Sequence, residues 1–148
     1  MSHAIDIRVY YEDTDAGGVV YHANYLNFAE RGRTEFLRAC GFTNSDIAND
    51  HHLLFVVRKA DIDYLLPAHL DDELTLETSI EYMKNSSFAM RQKLYRHKNA
   101  ANEMLISDML VTLVCVDTQK FRPVRIPDFI KTAFENQSEY NQGNETNE

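Results

Sequence analysis

The chain has 148 residues, a length that suits one domain with its own hydrophobic core. Its formal net charge is −8, which disfavours nucleic-acid partners because a phosphate backbone would be repelled. No stretch approaches the ~20 consecutive apolar residues of a membrane-spanning helix, and the first residues lack the apolar run of a signal peptide. We therefore expect a soluble, cytoplasmic protein with no nucleic-acid partner and no membrane insertion.

The first predicted element is a strand. Ile5, Ile7 and Val9 alternate with polar residues, and this two-residue period is typical of a strand with one buried face. Continued to Tyr11, the alternation predicts that this side chain lies on the core side, close to the loop that follows.

A helix about four turns long is predicted after that loop. Its apolar residues recur at the spacing of one helical face: Tyr25, Phe28, Ala29, Gly32 and Phe36. Asn24 is the expected N-cap and Gly41 the expected C-terminal stop. A glycine inside a helix costs about 1 kcal/mol relative to alanine, so we expect Gly32 to allow close packing on a sheet.

The second half of the chain is rich in predicted strands. After a short helical turn capped by Thr43 or Ser45, strand character covers approximately residues 53–64, 73–83, 88–97 and 104–116. The last strand is apolar on both faces, and one helix cannot cover both sides of a sheet. We therefore expect a second copy of the chain to meet the outer face or an edge of the sheet.

The C-terminal part is predicted to contain one more short helix, which Pro127 opens and which covers residues 128–135. Residues 136–148 are polar, with almost no large apolar side chain, and are predicted to be disordered. The predicted fold class is α+β, with a single domain over residues 1–135.

Cysteines, histidines and the acidic loop give no sign of a disulfide or a metal site. Cys40 and Cys115 lie in apolar segments, which is typical of reduced, packed thiols. The histidines lack zinc spacing. Counted as a calcium loop from Asp13, the sequence has Gly17 and Asn24 at the fifth and twelfth positions, where ligands are needed. We expect neither a metal nor a resident cofactor.

The loop that enters the helix concentrates residues able to do chemistry: Tyr11, Asp13, Asp15, His22 and Asn24. In one interpretation the aspartates bond only their own loop, His22 is a hydrogen-bonded polar residue and the helix is simply capped. In the other, a carboxylate faces the positive helix N-terminus, which suits a developing oxyanion on a carbonyl. The carboxylate then attacks that carbonyl or deprotonates a water. The residues alone leave both interpretations open.

The stretch VYYEDTDAGGVVYHANYLNFAERGRTEFLR closely resembles the acyl-CoA thioesterases of the 4-hydroxybenzoyl-CoA thioesterase family, in particular the branch associated with the Tol-Pal cell-envelope system. The resemblance continues through FVVRK at 55–59, LDDEL at 70–74 and VCVD at 114–117. It implies hydrolysis of an acyl-CoA to a free acid and CoA. It also implies a hotdog fold, in which a five-stranded antiparallel sheet wraps a long central helix, and homodimers that often form homotetramers.

The resemblance also implies roles for individual residues. Asp15 matches the catalytic carboxylate, which acts as nucleophile or general base. The backbone N–H of His22 matches the donor that polarises the thioester carbonyl, and the side chains of His22 and Tyr11 match positions that orient groups or handle protons. A related hotdog class uses a glutamate on the central helix, so Glu30 and Glu35 are kept as alternatives.

Coenzyme A is part of the implied substrate, and its phosphates need local cations on this acidic chain. The turn at Lys84, Asn85, Ser86 and Ser87 matches one that contacts the nucleotide in family members. Further candidates are Arg58, Lys59, Arg91 and Arg122. An ordinary polar surface explains the same residues equally well.

A second hypothesis treats the chain as a binding or scaffold module of the Tol-Pal system or of phospholipid synthesis. Such a module would recognise acyl carrier protein and retain only weak hydrolysis. Turnover of acyl-CoAs, measured beside binding of acyl carrier protein, separates the two hypotheses.

Overall fold

The computed structural model describes residues 2–146, which form one antiparallel sheet, three α-helices and a 3₁₀ turn at Tyr11–Asp13. The strands are β1 (His3–Arg8), β2 (Leu53–Tyr64), β3 (Glu73–Met83), β4 (Ser87–Arg96) and β5 (Met104–Asp117). The helices are α1 (Asn24–Ala39), α2 (Asn44–His51) and α3 (Asp128–Thr146). None of the described helices combines the length and apolarity needed to cross a membrane.

The strands lie in the order β1-β3-β4-β5-β2, and every neighbouring pair is antiparallel. The long helix α1 packs against β1 and β3, and α2 packs against β2. The prediction of an α+β fold with a five-stranded antiparallel sheet and one long helix is confirmed. This order leaves β1 and β2 at the edges of the sheet.

Gly32 lets α1 lie close to the sheet, as its sequence position predicts. A Cβ atom at this position would lie 2.5 Å from Leu76 Cδ2 and 2.8 Å from Thr78 Oγ1. Gln92, which is 1% exposed, donates from Nε2 to Thr78 Oγ1 at 3.0 Å and to the Ala29 carbonyl at 2.8 Å. The helix therefore meets the sheet through a buried polar contact as well as through apolar packing.

The two ends of α1 differ. At the C-terminus Gly41 has φ +96°, its N–H donates to the Arg38 carbonyl at 2.9 Å, and the next N–H donates to the Leu37 carbonyl at 3.1 Å. This Schellman arrangement confirms Gly41 as the stop. At the N-terminus the predicted cap is wrong, because Asn24 is already the first helical residue and Ala23 precedes it without a capping side chain.

The first strand is shorter than its hydropathy pattern predicts. β1 ends at Arg8, and the chain then bends through the 3₁₀ turn. Tyr11 is 82% exposed, so its predicted position on the core side of a strand is wrong. The bend is closed by the Asp13 carboxylate, which accepts a hydrogen bond from the Tyr10 N–H at 2.8 Å.

β5 has apolar residues on both faces, but a single chain already buries much of the second face. Val114 is 8% exposed and Val116 is 4% exposed, and Val116 pairs with Pro123 in the segment that follows the strand. Ile106 lies at a register shift between β4 and β5 and is fully buried in the core. The pattern of β5 therefore does not by itself require a second copy on the outer face.

α3 follows Pro127 and packs its first turns into the core, where Ile130 is fully buried and Phe134 is 2% exposed. Its backbone remains helical past the predicted end at Glu135, as far as Thr146. The predicted disorder of residues 136–148 stays a prediction, and residues 147 and 148 lie outside the described residues.

Candidate active site

The loop between the 3₁₀ turn and α1 is held in place by Asp13, which is 4% exposed. Its Oδ1 accepts a hydrogen bond from Asn24 Nδ2 at 2.7 Å, and its Oδ2 accepts one from the Tyr10 N–H at 2.8 Å. The Asp13 carbonyl accepts a further bond from the Tyr21 N–H at 2.9 Å. Asp13 thus joins both ends of the loop to the first turn of α1.

Asp15 lies in the same loop, but its side chain is exposed. Its Oδ1 accepts a hydrogen bond from the Gly17 N–H at 2.8 Å, which forms an Asx turn. Its backbone is constrained on both sides, because its N–H donates to the Val19 carbonyl at 2.9 Å and its carbonyl accepts from the Gly18 N–H at 3.1 Å. The loop therefore presents a solvent-accessible carboxylate on an ordered backbone.

The N-terminus of α1 is open. Ala23 supplies no side-chain cap, and the first turn contains no acidic residue. Among the described residues the backbone N–H of His22 has no hydrogen-bond acceptor, whereas the Asn24 N–H donates to the Tyr21 carbonyl at 2.8 Å. A helix N-terminus carries roughly half a positive charge. The unpaired N–H and this partial charge suit an oxygen that becomes negative during a reaction.

The side chains of His22 and Tyr11 are both exposed. The His22 ring lies 4.5 Å from the Tyr21 ring, and the His22 carbonyl accepts a hydrogen bond from the Tyr64 hydroxyl at 3.0 Å. Within the described part of the chain, no hydrogen bond joins either side chain to Asp15. Because Tyr64 belongs to β2, its bond connects an edge of the sheet with the entrance of α1.

A second loop, residues 67–72, supports the first one, and we refer to it as the platform loop. The Val20 N–H donates to the Ala68 carbonyl at 2.8 Å, and the Leu70 N–H donates to the Gly18 carbonyl at 3.2 Å. The position of residues 14–23, which we call the Asp15 loop, therefore depends on the position of the platform loop.

The platform loop is fixed by an ion pair between Asp72 and Arg96. Asp72 Oδ2 accepts hydrogen bonds from Arg96 at 2.7 Å and from the His69 N–H at 2.9 Å, and Arg96 also donates to the Pro67 carbonyl at 2.8 Å. Burial acts to raise the pKa of Asp72, but the bonds from His69 and Arg96 outweigh burial and hold this pKa below its ordinary value. The ionised pair thus joins both ends of the platform loop.

The predicted nucleotide-binding turn is well ordered. The Lys84 N–H donates to the Ser87 carbonyl and the Ser86 carbonyl accepts from the Cys115 N–H, both at 2.8 Å. Ser87 is 8% exposed, whereas the Lys84 side chain is exposed and its Nζ lies 5.3 Å from the centre of the Tyr82 ring. Lys84 is therefore reachable by a ligand, whereas Ser87 is buried in the turn and Ser86 is half-buried.

The other predicted cations lie in different environments. Arg58 and Lys59 are exposed at a register shift of β2, and Lys59 pairs loosely with Asp61 at 3.5 Å. Arg91 already pairs with Asp108 at 3.2 Å on the outer face of the sheet. Arg58 and Lys59 are thus better placed than Arg91 to meet an external anion.

The alternative catalytic groups find little support in their surroundings. Glu30 is exposed on α1, and Glu35 pairs with Arg38 at 3.1 Å on the helix surface. Burial raises the pKa of both cysteine thiols, Cys40 and Cys115, to about 11, so neither is an activated thiolate near neutral pH. No cluster of three or more metal-ligating side chains occurs among the described residues.

Two structural parts of the site are missed by the sequence. Asp13 looks equivalent to Asp15 in the sequence, and nothing local predicts its bond to Asn24. Asp72 stands in the LDDEL motif, which marks the segment, but its partner Arg96 lies 24 residues away at the end of β4. Only the antiparallel pairing of β3 with β4, which is predictable in outline, brings these two groups together.

Comparison with known proteins assigns the family. Residues 9–134 match the family described as the Thioesterase-like superfamily. The matched residues include the Asp15 loop, α1, the platform loop and the strands from β2 to β5. The match therefore covers the whole candidate site as well as most of the sheet.

Individual relatives cover nearly the same region. The acyl-CoA thioesterase YbgC of Haemophilus influenzae is 46% identical over 128 residues, which make up 86% of this chain and 90% of that protein. The acyl-CoA thioester hydrolase YbgC of Escherichia coli O6:H1 is 43% identical over 128 residues, which make up 86% of this chain and 92% of that protein.

Solved structures show the same architecture. A probable thioesterase from Bartonella henselae superposes with a TM-score of 0.79 at 37% identity, over 86% of this chain and 100% of that chain. A 4-hydroxybenzoyl-CoA thioesterase variant in complex with 4-hydroxybenzoyl-CoA gives a TM-score of 0.81 at 20% identity, over 88% and 96% of the two chains, and shows the likeness of fold alone. The predicted hotdog fold is confirmed. The chain belongs to the thioesterase-like superfamily of hotdog-fold enzymes.

Proposed function

We propose that this protein hydrolyses acyl-CoA thioesters to a free carboxylic acid and CoA. The observation that carries the proposal is the exposed Asp15 carboxylate, held on an ordered loop that leads into a helix with an unpaired N–H at His22. The names of two relatives, 46% and 43% identical over most of the chain, support an acyl-CoA as the substrate.

Asp15 supplies the nucleophile or the general base. In the first route its oxygen bonds to the thioester carbonyl carbon, the C–S bond breaks and CoA leaves as the thiolate. Water then hydrolyses the mixed anhydride and releases the acid. In the second route Asp15 takes a proton from water while the water oxygen adds to the carbonyl carbon, and the C–S bond breaks as the leaving sulfur takes up a proton.

Both routes place a negative charge on the former carbonyl oxygen. We assign its stabilisation to the backbone N–H of His22 and to the N-terminus of α1, where preorganised donors favour an oxyanion. The side chains of His22 and Tyr11 are exposed and available to orient water or to carry protons near the leaving sulfur.

A homodimer is the expected functional unit. β2 is an edge strand of 12 residues, and such an edge exposes unpaired backbone groups that favour pairing with another strand. Pairing of two β2 strands about a twofold axis would bring a second copy close to Tyr64 and hence to the helix entrance. Assembly of dimers into homotetramers stays a prediction.

The phosphates of CoA would meet the exposed cations near this edge and at the β3–β4 turn. Lys84, Arg58 and Lys59 are exposed, and the ordered turn at Ser86 and Ser87 fixes the backbone next to Lys84. Association with the Tol-Pal system, binding of acyl carrier protein and a cytoplasmic location stay predictions from the resemblance.

Release of CoA from a panel of short, long and aromatic acyl-CoAs tests the proposal. The wild-type protein should turn over at least one of them, and Asp15→Asn should abolish that turnover. A pull-down with acyl carrier protein belongs in the same experiment. Binding of acyl carrier protein without turnover of any acyl-CoA would contradict the proposal and favour the scaffold hypothesis.

A further inference from the structure

A cavity of about 320 Å³ lies between the second half of α1 and the strands β2, β4 and β5. Its apolar walls include Phe36, Phe55, Phe88, Met90, Leu113 and Phe134. The aromatic rings pack edge to face, with centroids 5.3 Å apart for Phe55 and Phe88 and 5.4 Å apart for Phe88 and Phe134. Small-molecule sites are concave and mostly apolar, with volumes from about 300 Å³ upward, so this cavity is large enough for an acyl group.

Glu30, Thr34 and Asn44 also line this cavity, and its cation is Arg33. Its guanidinium donates to Gln92 Oε1 at 3.1 Å. The Gln92 amide is held in one orientation, because its Nε2 donates to the Ala29 carbonyl and to Thr78 Oγ1. The Arg33 guanidinium is therefore held in place by an ordered side chain of β4.

Arg33 has unused hydrogen-bonding capacity. A guanidinium has five N–H donors, and Arg33 forms no ion pair with any carboxylate of the described residues. Burial lowers the pKa of Arg33, and the nearby Glu30 acts in the opposite direction. Glu30 is exposed on α1, where water screens its charge, whereas Arg33 is partly buried. A partly buried cation is costly unless an anion pairs with it.

We propose that this cavity receives the acyl group of the substrate and that Arg33 binds a carboxylate at the far end of that group. The preferred substrates would then be CoA monothioesters of dicarboxylic acids. A guanidinium binds a carboxylate through two parallel N–H bonds, which makes it selective for this end group. The inference rests on the proposed acyl-CoA hydrolysis.

The length of the acyl chain follows from the helix. Asn24 begins α1 and Arg33 lies nine positions later, which corresponds to about 13.5 Å along the helix at ~1.5 Å per residue. The side chain of a helical residue points back toward the N-terminus, which shortens this separation. Matched pairs of acyl-CoAs with six, eight and ten carbons, each with and without a terminal carboxylate, therefore bracket the distance to be spanned.

The test compares kcat/KM for the two members of each pair in wild type and in Arg33→Met. A hydrogen-bonded charge pair contributes about 1.5 to 3 kcal/mol, so the ratio of carboxylated to plain substrate should fall by roughly 10- to 100-fold in the variant. Arg31→Met is the matched control, because it removes the same charge from an exposed position of the same helix. It should leave the ratio unchanged. Glu30→Gln should raise the ratio, since it removes the opposing charge.

An equal fall in kcat/KM for the carboxylated and the plain substrate in Arg33→Met would overturn the inference and leave the proposed function intact. Dissociation of the oligomer in Arg33→Met, measured by light scattering, would also overturn it, because Arg33 would then pair with a second subunit. If Arg33→Met fails to fold, an unchanged ratio in Glu30→Gln overturns the inference on its own. Wild-type protein that hydrolyses no member of any pair would overturn the proposed function together with this inference.

Discussion

Asp13 and Asp15 are two carboxylates in one loop, two positions apart, and their surroundings are opposite. Asp13 is 4% exposed, and hydrogen bonds from Tyr10 and Asn24 occupy its two oxygens. Asp15 is exposed, and a hydrogen bond from Gly17 reaches only its Oδ1. A buried carboxylate must have partners, whereas a reacting carboxylate must keep an oxygen free. The comparison indicates a structural role for Asp13 and supports the proposal that Asp15 is the reacting group.

The largest expected effect is on turnover in Asp15→Asn. Because the exposed Asp15 side chain makes one local hydrogen bond, the free energy of unfolding of the variant should differ from that of the wild type by less than about 0.5 kcal/mol. Removal of a reacting group should lower kcat about 10³-fold or more. Kinetics with the best acyl-CoA and urea unfolding measure the two quantities. Normal turnover in this variant would remove Asp15 from the mechanism.

Asp13→Ala, in contrast to Asp15→Asn, should lower the free energy of unfolding. The substitution leaves Asn24 Nδ2 and the Tyr10 N–H without their buried acceptor, so we expect a loss of about 1 to 3 kcal/mol of unfolding free energy. Urea unfolding of this variant beside Asp15→Asn tests the contrast. Equal stability of the two variants would show that burial does not separate the roles of the two aspartates.

A smaller and pH-dependent effect is expected at Asp72, which fixes the platform loop and through it the loop that carries Asp15. Its pKa is lower in the folded protein than in the unfolded chain, so its contribution to stability is present above about pH 4, the ordinary value for an aspartate. That contribution is lost as the pH falls through the folded pKa. Asp72→Asn should therefore cost about 1 kcal/mol at pH 7 and progressively less below pH 4.

Unfolding as a function of pH provides the measurement, with Asp71→Asn as the matched control. Asp71 is exposed and has φ +71°, a conformation that asparagine also adopts. The control should differ little from wild type at every pH. A destabilisation of Asp72→Asn that stays constant from pH 3 to pH 7 would contradict the assigned ion pair.

The smallest effect is expected at the cysteines, for which, as for Asp13, we expect a structural role only. Burial raises the pKa of Cys40 and Cys115 to about 11, so their thiols should stay protonated at pH 8. Iodoacetamide should label the native protein much more slowly than the urea-unfolded protein, and Cys40→Ser should keep kcat within about twofold. Rapid native labelling coupled to loss of activity would reopen the case for a cysteine nucleophile.

Local patterns predict much of this fold. The periodicity of α1, the stop at Gly41 and the close approach at Gly32 depend on neighbouring residues and on backbone conformation, and the structure confirms them. The outward position of Tyr11 depends on the bond between Asp13 and the Tyr10 N–H, which breaks the strand period. The burial of Ile106 depends on a register shift between two strands.

The candidate site likewise contains features that the local sequence predicts and features that depend on contacts between distant segments. The motif around Asp15 and His22 is continuous in sequence, so its position at the helix entrance is predictable. The platform loop and the Arg33 anchor on Gln92 require contacts between distant segments, and only the assembled sheet brings those groups together. Contacts of this kind have no signature in the local sequence.

The most direct test of the account is a crystal structure of the wild-type protein with a ketone analogue of an acyl-CoA, in which a methylene group replaces the thioester sulfur. The account predicts the His22 backbone nitrogen about 3 Å from the carbonyl oxygen. It also predicts an Asp15 carboxylate oxygen either within about 3.5 Å of the carbonyl carbon or hydrogen-bonded to a water molecule that contacts this carbon. A bound analogue with its carbonyl remote from both groups would contradict it.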